Sequence, residues 1–290
     1  MINLIKMNFY RMLRSKFVYI LLLITFGITL LITSLETDPA EQELNQQIME
    51  EQGIGPNEAD ESVGIVIGGN ISVGGSAEEN SSLEEIYAGM IGSGFILLMT
   101  GIFVAVYSDE ERKSGFLKNL TVGVKGKKYI FASKIPIVLL FCTAQMLVVL
   151  AAVRIGCNRM GEYAIGDVGN LIRYMVTEIL LHTAYGLFIM ACYEMCRSIV
   201  LDILIAVFGS LNLFGFIVSM LETQIGVLRS LTQIWGGRLE LVQYFLVTRA
   251  RDVAVSCQSY PFVPSIVIAI AGLILYGILG MIIYSKRDTL

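Results

Sequence analysis

FVYILLLITFGITLLITSL, residues Phe17–Leu35, contains no charged side chain and is long enough to cross the ~30 Å hydrocarbon core of a bilayer as a single helix. Its two flanks differ in sign. Ahead of it, residues 1–16 carry Lys6, Arg11, Arg14 and Lys16 and no acid. Behind it there is no Lys or Arg as far as residue 87, while 13 acidic residues fall between Glu36 and Glu85. Basic segments stay on the cytoplasmic side of a membrane, so this sorting of charge predicts a span with its N-terminal flank inside. A cleaved secretory signal would need a small-x-small site, and Thr33-Ser34-Leu35-Glu36 does not supply one.

The rest of the chain extends the pattern. Of its 290 residues, 55% are apolar and 16% charged, and the mean hydropathy is +0.69. That is too little charge to clothe a soluble domain of this size. Apolar runs recur at 88–108, 130–153, 171–192, 199–221 and 263–284. The prediction is an all-α polytopic membrane protein with six transmembrane helices. Residues 1–16 form a cytoplasmic amphipathic helix and 17–35 the first span. Residues 36–87 form an acidic extracellular insertion, in which Ser62–Gly75 reads as a short hairpin around Gly68-Gly69-Asn70. Residues 88–290 hold helices 2–6, with a cytoplasmic loop at 109–134 and an extracellular segment at 222–262. This arrangement puts 14 of the 21 basic residues inside, with both termini cytoplasmic.

The inner loop YSDEERKSGFLKNLTVGVKGKKYIFASK, Tyr107–Lys134, is the most informative of the polar segments. Asp109, Glu110 and Glu111 stand where negative charge favours a helix N-terminus, followed by Arg112, Lys113 and Lys118. Phe116, Leu117 and Leu120 give such a helix an apolar side, and Gly115 weakens it in isolation. Two readings stand together: a positive-inside loop that holds orientation, or a docking helix for a cytoplasmic protein.

Within the spans, an ionisable side chain needs a partner or water. Glu178 and His182 lie one helical turn apart on one face of the fourth span; Glu194 and Asp202 lie near its end and the start of the fifth, with Arg197 between them as a neutralising partner. Cys142, Cys192 and Cys196 fall in or beside spans. Cys157 and Cys257 fall in outer loops, which permits a disulfide between them. One His and no ligand cluster give a metal no support, and no Gly-Lys-Ser or Gly-Lys-Thr follows the glycines of the hairpin.

Taken in order, these features resemble the permease subunits of bacterial ABC exporters of the ABC-2 class, including those for lantibiotic and antimicrobial-peptide export or immunity. The resemblance rests on the basic amphipathic start at Leu4–Arg14, on the acidic start and Gly-x-x-Lys of Glu111–Lys118, and on the spacing of Lys127 and Lys134 before the third span. The tail Tyr284-Ser285-Lys286-Arg287-Asp288 completes it.

It implies an ABC-2 (type V exporter-like) permease fold in a bacterial cell membrane, a second permease subunit, and two ATPase subunits that hold ATP and Mg, with no cofactor bound by this chain. In that family the loop after the second span couples to the ATPase, which maps onto Asp109, Glu110, Glu111, Arg112, Gly115, Phe116 and Lys118. The amphipathic helix would turn Ile2, Ile5, Phe9, Met12 and Leu13 to lipid, and Lys6, Arg11 and Arg14 to headgroups or the ATPase. A partly inserted segment is expected within 223–252. The substrate implied is a peptide or other amphipathic molecule; membrane lipids are partners and nucleic acid is not. No catalytic residue is expected. The alternative is a membrane anchor or peptide-immunity protein that binds without transporting. The acidic insertion is longer than a minimal permease needs; it reads either as a cation-recruiting surface or as a solvated topology aid.

Overall fold

In the computed structural model the described residues are 2–36, 83–114, 128–160, 168–224, 244–255 and 262–286. All eleven regular elements among them are helices. They are α1 (Ile2–Arg14), α2 (Lys16–Glu36), α3 (Leu83–Gly92), α4 (Phe95–Lys113), α5 (Lys128–Ala132), α6 (Ile135–Met160), α7 (Val168–Cys196), α8 (Ile199–Ser210), α9 (Leu213–Gln224), α10 (Leu246–Val255) and α11 (Phe262–Lys286).

Four segments are long and apolar enough to cross a membrane: 16–34, 128–158, 168–196 and 262–286. The bent pair α3 and α4 makes a fifth if it is counted as one span. This architecture fits a multi-pass membrane protein. The second and fifth apolar runs, however, are each broken. α3 and α4 meet at 48°, where Gly94 takes φ +81° and a Cβ there would lie 2.5 Å from the Ser210 carbonyl oxygen. Only glycine combines that backbone with that approach. The run at 199–221 is divided into α8 and α9 by Asn212, whose φ is +56°. Neither half alone has the length of a span.

α7 is the central pillar, packed on α11, α4, α6, α8 and α10. From Leu181 to Ala191 burial extends all round the helix, as expected with protein on every side, whereas Val168, Ile172 and Val176 leave its first half with one exposed stripe. α2 has protein on one side only. Val18, Leu21, Thr25, Thr29 and Thr33 form its buried stripe, while Ile20, Leu23, Ile24 and Leu31 are exposed. The stripe packs along α6, where a Cβ on Gly156 would come within 2.7 Å of the Thr33 methyl. Small residues let the two backbones close together, the usual device where lipid supplies no hydrophobic drive between helices.

Between α4 and α6, Phe103 stacks on Phe141 at 3.8 Å. Thr100 Oγ1 donates to Gln145 Oε1 at 2.9 Å, and Gln145 Nε2 donates to the Ile96 carbonyl at 3.2 Å. α10 is wedged among α3, α7 and α11. Gly272, near the middle of α11, faces both Leu246 of α10 and Ala184 of α7. One end of this short helix thus packs against the middle of a long one; residues 225–243 of the segment expected to be partly inserted lie outside the described residues.

Candidate functional site

One end of the helix bundle converges on four charged side chains. Lys134, at the junction of α5 and α6, places its Nζ 2.7 Å from Glu111 Oε2 on α4 and 3.5 Å from Glu194 Oε1 on α7. Arg11 of α1 approaches the same Glu111 oxygen at 3.7 Å. Glu111 and Lys134 are fully buried and Glu194 nearly so. Two cations and two carboxylates make the cluster formally neutral, the condition under which buried charge is tolerable.

Aromatic rings enclose it. The Arg11 guanidinium lies 4.1 Å from the Tyr107 ring centroid and Lys134 Nζ lies 5.4 Å from that of Tyr284, both within cation–π reach. Arg11 Nη2 also donates to the Tyr107 carbonyl, and Asn8 Nδ2 donates to Ser133 Oγ at 2.9 Å. The cluster therefore ties α1, α4, α6 and α7 together, with α11 contributing Tyr284.

These positions revise several expectations. Asp109–Lys113 does not open a separate helix; it is the last turn of α4. Acids at that end oppose the helix dipole, and each of the two inward ones has a compensating neighbour: Lys113 lies 2.6 Å from Asp109, and Lys134 with Arg11 meets Glu111. Asp109 also accepts from the Tyr193 hydroxyl at 3.1 Å. Asp109 and Glu111 thus face the bundle and are unavailable to a docking protein, whereas Glu110, Arg112 and Lys113 are exposed. Arg112 Nη1 donates to the Arg197 carbonyl, joining α4 to the α7–α8 corner. Gly115, Phe116 and Lys118 lie outside the described residues.

On α1, the buried face is Leu4, Asn8 and Met12. Met12 and Arg11 turn inward rather than to lipid and headgroups, while Ile2, Phe9 and Leu13 remain exposed as predicted. Arg11 turns because Glu111 offers a buried partner that the sequence of α1 does not reveal. Lys134, noted in the sequence for its spacing alone, is the centre of the cluster.

The second polar group is in α7. His182 Nδ1 lies 3.3 Å from Glu178 Oε2 and 2.9 Å from the Glu178 carbonyl oxygen, and both side chains are fully buried. The predicted pair therefore forms. The Nδ1 contact to a carbonyl assigns its proton there, leaving Nε2 buried with no hydrogen-bond partner among the described residues. Asp202 on α8 is also buried, and neither of its carboxylate oxygens has a hydrogen-bond partner among them. Glu194, predicted to be neutralised by Arg197, meets Lys134 instead.

Cys157 is a free, buried thiol inside α6 rather than in an outer loop, because the helix continues through Arg154-Ile155-Gly156. Cys257, its predicted disulfide partner, lies outside the described residues, as do the acidic insertion at 37–82 and the Ser62–Gly75 hairpin. No group of His, Cys, Asp and Glu among the described residues is arranged to hold a metal.

Fold and site together define a helical protein of multi-pass membrane type, cross-braced at one end by buried ion pairs. No family model matches the chain, and no curated protein matches its sequence.

Proposed function

We propose that this chain is the permease subunit of an ATP-driven exporter, moving a peptide or other amphipathic substrate across a bacterial cell membrane. The observation that carries the reading is the continuity of α4. It runs unbroken from Phe95 to the charged end at Lys113 and is there bonded through Glu111 to α1 and to Lys134 ahead of α6, which in turn meets Glu194 of α7. A force applied to the segment that follows α4 is delivered through those bonds to the helices around the centre of the bundle. This is what a transport subunit driven by a separate ATPase requires. The resemblance to ABC-2 permeases supplies the partners: two ATPase subunits carrying ATP and Mg at this end, and a second permease subunit.

Connectivity supports six crossings. α7 ends at the ion cluster and α11 also ends there, at Tyr284. If α11 crosses the membrane, the chain must pass to the opposite side between Cys196 and Phe262. Among the described residues the broken pair α8 and α9 is the segment available for it, which would make the fifth span discontinuous. Both termini are then on the cytoplasmic side. α10 would form part of the partly inserted segment expected before the last span of such permeases.

Co-purification with a candidate ATP-binding cassette protein tests the proposal. Charge reversal at exposed Glu110 (Glu110→Lys) is expected to weaken complex formation and uncouple substrate-stimulated ATP hydrolysis, with the bundle intact by circular dichroism. Wild-type binding and coupling in this variant would overturn the docking assignment.

A further inference from the structure

At the same end of the bundle, on its outer side, a groove of about 430 Å³ separates α5 from the last turns of α11. Its volume is in the range of small-molecule sites, ~300–1,000 Å³. The lining is graded. Lys128, Tyr129 and Ser285 stand at the end where both spans terminate, and Ala132, Ile278 and Ile282 line the half that runs into the apolar zone.

We propose that this groove binds an anionic phospholipid of the adjoining leaflet, with its phosphate on Lys128 and one acyl chain along Ala132, Ile278 and Ile282. Three observations support a lipid. First, Lys128 and Lys286 are exposed, and neither forms an ion pair with a described carboxylate. Lys128 therefore stands at the polar end of an apolar slot, with Lys286 next in the chain to its Ser285, a combination complementary to a phosphate attached to hydrocarbon.

Second, the order of chemistry follows the bilayer. From Ile278 to Ser285 along α11 is ~10 Å of helix rise, and over that distance the lining passes from aliphatic to hydroxyl and ammonium. Ile278 and Ile282 are each 48% exposed, so the slot opens sideways onto lipid. Third, the walls are fixed. Phe131 packs directly over Gly280, where a Cβ would collide with its ring, and sits 6.4 Å from Tyr284. Two residues beyond Ala132, Lys134 is anchored in the ion cluster. A lipid held here would brace α5 against α11 beside that cluster.

Native mass spectrometry of the full chain in detergent micelles, titrated with phosphatidylglycerol or phosphatidylcholine, tests this. Phosphatidylglycerol is expected to be retained in preference to phosphatidylcholine. Each of Lys128→Gln and Lys286→Gln is expected to weaken its binding about fivefold, with phosphatidylcholine unchanged. Ala132→Phe, which fills the apolar half, is expected to reduce retention with both lysines intact. Equal retention of the two lipids, or wild-type phosphatidylglycerol binding in the double Lys→Gln variant, would overturn the proposal. Displacement of the lipid by inorganic phosphate as readily as by soluble phosphatidylglycerol would overturn it too, since the acyl chain would then contribute nothing.

Discussion

Replacing Lys134 with Met removes the one side chain that contacts both carboxylates of the cluster while roughly preserving its length. At 2.7 Å and an effective dielectric of 20, the Lys134–Glu111 attraction is about 6 kcal/mol in gross terms. The cost of burying both ions offsets part of this, and removing one partner of a buried pair typically costs about 3–5 kcal/mol. Here Glu111 is fully buried, and Arg11, at 3.7 Å, remains as a weaker partner, so the lower half of that range is expected. At ~2–4 °C per kcal/mol for a chain of this class, the loss is on the order of 10 °C in midpoint. The assay is reversible unfolding of the full chain in mixed micelles. The double variant Lys134→Met with Glu111→Gln leaves one cation, Arg11, and one carboxylate, Glu194, in the cluster and restores formal neutrality, so it is expected to recover at least half of the loss. A single variant within ~0.5 kcal/mol of wild type, or strictly additive losses in the double, would refute the cluster as a structural joint.

Two further outcomes follow from the same geometry. His182→Leu leaves Glu178 buried without its polar neighbour and is expected to cost about 1–3 kcal/mol; adding Glu178→Met is expected to return most of it, and a silent single variant in the same unfolding assay would sink the idea that the pair is mutually dependent. Gly280→Ala drives a methyl into the Phe131 ring and is expected to cost about 1–3 kcal/mol through overpacking, with a Phe131→Leu second-site change relieving it; a midpoint equal to wild type for Gly280→Ala alone would show that the α5–α11 contact is loose.

How much was legible in advance depended on the range of the interaction involved. The span at Phe17–Leu35 and the helices at 168–196 and 262–286 follow from local composition, because a run of about 20 apolar residues without charge has one stable state in a bilayer. The Glu178–His182 contact was equally readable, being an i, i+4 pair on one helix. The breaks at Gly94 and Asn212 were not. Hydropathy is blind to a single residue in the left-handed region, and both runs stay apolar through the bend.

The coupling residues divide for the same reason. That Asp109–Lys113 carries charge of both signs is written in the sequence, but which side chains face inward is not. Glu111 turns in because Lys134, 23 positions later, and Arg11, 100 positions earlier, arrive at the same point. By itself, the sequence determined the solvent of this protein, its helical class and the pairs that a single helix brings together. Only the tertiary structure decided which charges are partners and which remain for the outside. Charge–charge attraction depends on distance in space, and the helices that set those distances are joined by long stretches of chain.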